Sequence, residues 1–269
     1  MRRRRNSWLI LAVLLVLGLL GRLLAPDSPS DFGSAGECGE KFAFGRPLVQ
    51  GEGENATLLC RKGYAVLHDP DLRVSLYAAE RLTNTDADGS VPRQDDFEPD
   101  PDLPAGERAE LSDYRGSGFD RGHLAPAADF SDDPTEMDES FLLSNMVPQN
   151  GPMNSGIWSG LESATRACAK SVGEIFIYTG PVFEGGVKRT VGRNRVAVPT
   201  GLYKVVVEPK SGQARTFLMP NRALQRTSDF GRYEVPVTRI EQLTGLTFFP
   251  EGRIDKTRSG AFCASSFGS

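Results

Sequence analysis

Histidine is scarce in this chain of 269 residues, which contains only His68 and His123. Two histidines are too few for a histidine-rich metal centre. The four cysteines include no Cys-x-x-Cys pair, which excludes the usual spacing of a structural zinc site. The pattern Gly-x-Ser-x-Gly is also absent, so a serine hydrolase is disfavoured. No internal repeat is present, which argues against a solenoid or a propeller.

Positive charge is scarce as well, once the N-terminal segment is set aside. The formal net charge is −4, but five of the 31 basic residues, Arg2–Arg5 and Arg22, precede every acidic residue. The remainder holds 26 basic and 35 acidic residues, a formal charge of −9. This balance argues against a protein that coats nucleic acid through bulk positive charge. It does not exclude an enzyme that meets a polyanion at a local patch with a metal ion.

The N-terminal segment, residues 1–25, is typical of an export signal. Four consecutive arginines precede an uncharged apolar run from Trp8 to Gly21. That run is shorter than the roughly 20 residues of an ideal membrane span. A cleaved signal peptide and an uncleaved signal-anchor therefore both stay open. In either case we expect the protein to be exported, as a periplasmic or extracellular domain or as one anchored in the cytoplasmic membrane by residues 8–24.

The four cysteines are even in number and widely spaced: Cys38, Cys60, Cys168 and Cys263. In an exported protein they predict two disulfide bonds. Spacing does not choose among the three pairings of four cysteines. We expect the local pairing, Cys38–Cys60 with Cys168–Cys263.

Residues 26–40 are rich in Pro, Ser and Gly and predict a flexible linker, followed by one domain over residues 41–269. Strands dominate the pattern and helices are few, so we expect an α+β fold with a mixed or antiparallel sheet. The predicted strands are residues 63–68, 73–81, 140–147, 174–180, 196–208 and 214–220, and the predicted helices begin at Asn154 and at Thr238. Residues 83–113 form a long acidic excursion, and a loop of this length is usually functional.

The stretch Asp120-Arg121-Gly122-His123 concentrates the groups that phosphodiester hydrolysis needs. His123 can deprotonate water, and Arg121 can hold a non-bridging phosphate oxygen. A metal would assist the leaving oxygen. Mg²⁺ keeps several of its waters, so a single amide oxygen such as that of Asn154 is chemically sufficient. Glu162 lies two helical turns after Asn154, on roughly the same side of the predicted helix.

Three ordered blocks carry a family resemblance: DRGH followed by APAAD, then SNMVPQN, then NSGIWSGLE. They resemble the DNA/RNA non-specific endonucleases, the ββα-metal nucleases of the secreted bacterial and endonuclease G type. The likeness runs from about Gly63 to Pro220, and three separately spaced blocks are far more specific than one tetrapeptide. It implies a ββα-metal active-site motif and a metal-dependent endonuclease that cleaves DNA and RNA without sequence preference.

The resemblance also implies a role for each matching residue. His123 aligns with the general base, and Asn154 with the one direct protein ligand of Mg²⁺, for which Mn²⁺ is an alternative. Glu162 aligns with the acid that holds a metal-bound water, and Asn145 with an asparagine that supports the site. Arg81 occupies the place of an arginine that contacts phosphate.

Two further residues of the DRGH block have expected roles. Arg121 lies beside the base and is expected to clamp phosphate, while Asp120 is expected to tie the motif together by hydrogen bonding. Asp129, at the end of the block, is expected to be a helix cap or a turn residue.

Several alternatives remain open from the sequence. A non-catalytic nucleic-acid-binding or envelope protein, or a hydrolase of other phosphodiesters, would fit the same fold. The expected partners are DNA and RNA as substrates and, through an uncleaved N-terminal segment, a membrane; a homodimer is a further alternative. The basic residues Lys188, Arg189, Arg193 and Arg195 are compatible with a phosphate-tracking strand or with a solvated β-hairpin.

Overall fold

The computed structural model of the protein describes residues 38–50 and 55–268. The predicted leader, residues 1–25, and most of the predicted linker lie outside these ranges. A single compact unit begins at Cys38. Within the two described ranges, no helix has the length and apolar character that crossing a membrane requires.

The regular elements confirm an α+β fold with a sizeable antiparallel sheet and few helices. The strands are β1 Leu48–Val49, β2 Thr57–Cys60, β3 Tyr64–Asp69, β4 Val74–Thr83, β5 Asp120–His123, β6 Met146–Gln149, β7 Glu174–Val182, β8 Thr190–Val191, β9 Val196–Ala197, β10 Gly201–Glu208, β11 Gln213–Pro220 and β12 Leu246–Thr247. The helices are α1 Leu111–Tyr114, α2 Pro134–Glu139, α3 Gly151–Met153, α4 Ser159–Val172, α5 Val237–Thr244 and α6 Ala264–Phe267, with a π-helical turn, Asn154–Trp158, between α3 and α4.

Six strands form the central sheet, in the order β11–β10–β7–β4–β3–β2, and every neighbouring pair is antiparallel. The sheet is covered on both faces. Because successive side chains of a strand point to opposite faces, each strand contributes to two separate cores. The site face presents Ala78, Ile177 and Val206 to a cluster that includes Trp158 and Leu161.

The opposite face is aromatic. Tyr77, Tyr178 and Tyr203 pack with Phe248 and Phe249, and their rings meet mostly edge to face. We call this surface the aromatic face. Helix α5 and the two-stranded β1–β12 ribbon cover it.

Three predicted element boundaries were wrong. The chain over residues 143–145 makes a 3-10 turn rather than a strand, and β6 begins only at Met146. The predicted strand 196–208 is split into β9 and β10, because Pro199 between them has no backbone N–H to offer a ladder. The helix expected at Asn154 begins at Gly151, where the Asn150 side chain accepts a hydrogen bond from the Met153 N–H (3.3 Å).

Two disulfide bonds join the ends of the domain to its interior. Cys38–Cys60 fixes the N-terminal segment to the edge strand β2, and Cys168–Cys263 fixes α4 to the C-terminal segment. This is the local pairing. The second bond closes a loop of 95 residues and anchors the helix that carries Glu162.

Candidate active site

Strands β5 and β6 and the helix after them form a ββα unit on the site face. The antiparallel register pairs His123 with Met146 and Asp120 with Gln149. Gly122 is required between them, because a Cβ there would meet the Gln149 Oε1 at 1.9 Å. Since β6 leads directly into the helix, this register brings Asp120 beside Asn154.

A hydrogen bond joins the strand of the site to its helix. The Asn154 Nδ2 donates to the Asp120 Oδ2 at 3.0 Å. Because the Asn154 Nδ2 makes this hydrogen bond, the Oδ1 of the same side chain faces away from Asp120 and toward other groups. The Asp120 carboxylate therefore links β5 to the helix and orients the Asn154 side chain.

His123 is enclosed by rings. Its imidazole lies 5.7 Å from the Phe97 ring and 5.2 Å from the Phe141 ring, measured between centroids, and its side chain is 8% exposed. Its buried Nε2 has no hydrogen-bond partner among the described residues. Burial, aided by the charge of Arg93, lowers the pKa of His123 to about 3. The imidazole is therefore neutral and able to accept a proton.

Asn145 shapes the chain that follows the histidine. Its Oδ1 accepts from the Ala125 N–H at 2.9 Å, and its Nδ2 donates to the carbonyl oxygens of Ala125 and Ser140 at 2.8 and 2.9 Å. The Leu124 N–H donates to the Asn145 carbonyl (2.9 Å). Asn145 is fully buried, so these bonds satisfy an otherwise costly amide. They fix the loop after His123.

The helix that bears Asn154 is locally widened. Residues 154–158 make a π-helical turn, and Gly156 within it has non-helical torsions (φ −104°, ψ −107°). Single π-helical turns are frequent at functional sites. The turn ends at Trp158, which is fully buried in the core. Helix α4 then carries Glu162 in its first turn.

A buried charge cluster lies beneath Glu162. Two of its five members lie on the site face of the sheet, and three lie on the segments that cover this face. They are Glu80 on β4, Lys204 on β10, Asp129, and Glu162 and Arg166 on α4. The Arg166 Nη1 donates to the Asp129 Oδ1 at 2.6 Å. The Lys204 Nζ donates to the Thr179 Oγ1 at 2.6 Å and lies 5.5 Å from the Trp158 ring centroid. Three carboxyl groups thus face two cations.

Burial raises the pKa of all three carboxyl groups in this cluster. It raises the pKa of Glu162 to about 7, with Lys204 opposing the shift. It raises the pKa of Glu80 well above its ordinary value, and the Glu80 Oε2 has no hydrogen-bond partner among the described residues. Burial also raises the pKa of Asp129, with Arg166 opposing the shift. Of the two roles expected for Asp129, the structure gives the turn residue: it ends the 3-10 turn Ala127–Asp129 and is not a helix cap, since its buried side chain pairs with Arg166.

The structure does not bring Arg81 to this site. On β4, Ala78, Glu80 and Leu82 point to the site face, and Arg81 points to the other side of the sheet. There the Arg81 Nε donates to the Glu174 Oε1 at 2.6 Å. The placement expected for Arg81 was wrong because adjacent residues of a strand cannot share a face. Its neighbour Glu80 faces the site instead.

Arg93, unlike Arg81, lies beside the rings that enclose His123. Its guanidinium is 5.0 Å from the Phe141 ring that packs on His123, and its charge lowers the pKa of His123. The Arg121 guanidinium lies 4.0 Å from the Phe97 ring centroid. Arg121 and His123 share one face of β5 and the same aromatic neighbour.

An open cleft of about 530 Å³ begins at these residues. It is lined by Arg93, Asp95, Phe97, Leu111, Tyr114, Arg115, Phe119, Asp120, Arg121 and Asn154. Asn154 and Asp120 lie in its wall, and Arg93, Arg115 and Arg121 give it positive charge. The cleft can therefore hold an anionic chain against the atoms that would react.

Sequence reasoning missed Arg93, Glu80, Lys204 and Arg166. Arg166 had a signal, because it lies four residues after Glu162 and so on the same helix face. Glu80 also had a signal, because alternate residues of a strand share a face and Glu80 therefore points to the same side as apolar Ala78 and Leu82. Arg93 had none, because it lies in the acidic excursion far from each motif.

Comparison with known proteins identifies the family. The sequence pattern described as DNA/RNA non-specific endonuclease matches residues 47–253. The chain belongs to that family. It is an endonuclease by class, and the family is metal-dependent in general.

Related proteins are similar over most of their length. The chain is 36% identical over 225 residues to mitochondrial endonuclease G of Homo sapiens, covering 79% of this chain and 74% of that one. It is 35% identical to nuclease C1 of Cunninghamella echinulata var. echinulata, covering 77% and 87%. A solved structure of the EndoG/EndoGI complex, described as showing the mechanism of EndoG inhibition, matches with a TM-score of 0.69 and 31% identity, covering 76% and 92%.

Proposed function

We propose that this endonuclease hydrolyses phosphodiester bonds of both DNA and RNA without sequence preference, with His123 as the general base. The Asn154–Asp120 hydrogen bond carries the proposal, because it places a metal-binding amide beside the strand that ends in His123. The cleft next to both residues admits an extended polyanion.

His123 takes a proton from the attacking water. Its neutral imidazole is suited to this step, although a pKa of about 3 makes the free residue a weak base. A phosphodiester bound beside it brings negative charge, which favours the protonated form and raises the pKa in the complex. Arg93 and Arg121 hold the non-bridging oxygens and offset the charge that develops on them.

The residues present fit a hard divalent cation of the Mg²⁺ type, and Mn²⁺ would be accepted by the same ligands. The described residues contain no group of three or more His, Cys, Asp and Glu side chains that could hold a metal. The Asn154 Oδ1 is an oxygen donor of the kind that Mg²⁺ prefers, and the Glu162 carboxylate would hold one of the waters that complete the shell of the ion. When bound, the ion supplies charge neutralisation at the leaving oxygen. Burial raises the pKa of Glu162 even though Lys204 opposes the shift, so the protein's own cations do not fully compensate this carboxylate, which fits a bound cation beside it.

Asp120, Asn145 and the buried cluster are positioning residues. Asp120 orients the Asn154 amide, and Asn145 holds the loop after His123. Lys204 and Arg166 offset the carboxyl groups around Glu162. Such supporting partners commonly change metal affinity or activity by about 10- to 100-fold.

We also propose that the domain acts outside the cytoplasm. Two disulfide bonds suit an oxidising compartment, and the N-terminal sequence is typical of export. Cell fractionation followed by N-terminal sequencing of the exported chain tests this. Recovery of the chain with reduced cysteines in the cytoplasm would contradict it.

Digestion of plasmid DNA and of a long RNA by the full chain tests the chemistry. We expect cleavage of both with Mg²⁺, loss of cleavage in EDTA, and recovery when Mg²⁺ is restored. His123→Ala and Asn154→Ala should each lower the rate by at least about 100-fold. Full activity in either variant would overturn the mechanism. Binding without cleavage by the wild-type chain in Mg²⁺ would instead indicate a non-catalytic binding protein.

A further inference from the structure

Two rings that line the cleft, Phe97 and Phe119, each have an arginine stacked on them, and only the first of these two pairs touches the catalytic centre. Arg121 lies over Phe97, whose ring packs on His123. The second pair is Arg189 over Phe119, with the guanidinium carbon 4.6 Å from the ring centroid. Phe119 lines the same cleft two residues before Arg121, about 6–7 Å farther along an extended chain. The second pair therefore continues the cleft away from His123.

Arg189 is held in place by the hairpin that carries it. The Val198 N–H donates to the Arg189 carbonyl at 2.9 Å, and the Arg189 Nη2 donates to the Ser117 carbonyl at 3.4 Å. Arg193 and Arg195 lie in the turn of the β8–β9 hairpin, and Lys188 and Arg189 directly precede β8. Among the described residues, Arg189 alone of the four stacks on an aromatic ring.

The hairpin itself is fixed to α1, which contributes Leu111 and Tyr114 to the wall of the cleft. Buried Asp113 accepts from the Asn194 N–H (3.1 Å), from the Asn194 Nδ2 (2.8 Å) and from the Glu110 N–H (2.9 Å). Gly192 lies so close to Asp113 that a Cβ would meet its Oδ1 at 2.1 Å, and its φ is +68°. These contacts preorganise the position of Arg189.

The charge near Phe119 is not neutralised by the protein. Arg189, Arg115 and Arg121 are exposed, and within the described ranges none of them has a carboxylate within salt-bridge distance. Arg93, by contrast, is paired with Asp95 at 2.7 Å. An arginine stacked on a ring presents its N–H groups sideways, which matches a phosphate, while the ring can contact a base or a sugar.

We propose that Phe119 and Arg189 form a subsite for the phosphate of the substrate strand next to the one that is hydrolysed. The ligand is a nucleic-acid strand of more than one phosphodiester. This inference rests on the proposed nuclease function and deepens it. It names residues outside the catalytic centre that would make longer strands bind more tightly than short ones.

Initial rates with single-stranded oligonucleotides, from a dinucleotide to about 12 nucleotides, test the subsite. A dinucleotide has only the phosphate that reacts, so it cannot reach Arg189. For the longest substrate, Arg189→Ala should raise KM about threefold to tenfold and leave kcat within about twofold, the size expected for one exposed charge contact. Neither constant should change for the dinucleotide. Phe119→Leu should show the same pattern.

Arg232→Ala is the matched control. Arg232 is also an exposed arginine over a ring, with its guanidinium carbon 5.6 Å from the Tyr233 centroid, but it does not line the cleft. Arg232→Ala removes the same charge as Arg189→Ala. An equal rise of KM in the two variants would therefore indicate a general charge effect and overturn the subsite. An unchanged KM in Arg189→Ala, or an equal loss with the dinucleotide, would overturn it as well.

Binding in EDTA separates this inference from the proposed function. Fluorescence anisotropy of the 12-nucleotide strand, measured across salt concentrations, needs no cleavage. Arg189→Ala should weaken binding by the same threefold to tenfold and reduce the salt slope by about 0.7, as for one lost phosphate contact on a single strand. A wild-type chain that binds but does not cleave would overturn the nuclease mechanism alone. A wild-type salt slope in Arg189→Ala would overturn the subsite alone.

Discussion

The two faces of the central sheet bury different chemistry. The aromatic face carries three tyrosines whose hydroxyl groups are buried, and it contacts other rings and α5. The site face carries Glu80 and Lys204 on the same strands, also almost fully buried. Burying a charge costs far more than burying a phenol. The cost of burying charge is therefore concentrated on the site face, while the aromatic face buries mainly apolar side chains and phenol hydroxyl groups.

Neighbouring residues on β10 offer the sharpest contrast between the faces, since Lys204 and Tyr203 point in opposite directions. Lys204→Met keeps most of the side-chain volume but leaves three carboxyl groups with one cation and removes the contact with Trp158. We expect kcat to fall about 10- to 100-fold in a folded protein. Tyr203→Phe loses only the O–H donated to the Leu76 carbonyl at 3.0 Å. It should cost about 1 kcal/mol of unfolding free energy and leave kcat unchanged.

Steady-state kinetics and urea unfolding of both variants check this expectation. Circular dichroism verifies that Lys204→Met is folded. Equal losses of kcat in the two variants would remove the distinction between the faces. So would full activity in Lys204→Met.

The sequence predicted the strands of the sheet well, because their apolar runs are long and bounded by turn residues. Prediction failed at residues 143–145, where apolar Leu143 belongs to a 3-10 turn. That turn depends on hydrogen bonds from Asn145 to Ala125 and Ser140, and the contact with Ala125 spans 20 residues. No local pattern contains such a contact.

The motif residues of the site could be predicted, because spacing along β5 and along one helix is local information. The three blocks placed His123, Asn154 and Glu162 on one ββα unit. Arg93 could not be found, since only the folded excursion carries it to Phe141. The buried cluster beneath Glu162 combines β4, β10 and α4, so its composition depends on sheet order.

The pH dependence of stability should also separate the two faces. Burial lowers the pKa of His123 to about 3, against an ordinary value of 6.5, so the unfolded chain binds a proton between these limits that the folded chain does not. The contribution of His123 to the free energy of unfolding is therefore lost as the pH falls below 6.5, by roughly 1.4 kcal/mol per unit and about 2 kcal/mol between pH 7 and 5. The raised pKa of Glu162 acts in the opposite direction over the same range, so His123 is isolated by comparison with a variant. On the aromatic face, burial raises the pKa of Tyr77, Tyr178 and Tyr203 above their ordinary value of 10, so none of them titrates in this range.

Urea unfolding at pH 5, 6 and 7 measures this difference, with His123→Gln as the comparison. The variant should show the shallower dependence on pH. His68, whose pKa burial also lowers, contributes equally to both proteins. Parallel curves for the two proteins would show that His123 does not account for the slope.

The smallest effect is expected at Arg81, which tests the face assignment directly. Arg81 is exposed and paired with Glu174, and such a pair contributes ~0–1 kcal/mol. Arg81→Gln should therefore leave kcat and KM within about twofold. Glu80→Gln, one residue earlier but on the site face, should lower kcat by about tenfold, because it replaces a buried ionisable carboxyl group beneath Glu162 with an amide that can take no charge. If Arg81→Gln lost more activity than Glu80→Gln, the phosphate would have to be reached from the aromatic side. Arg93 would then not be the residue that replaces Arg81 in the site.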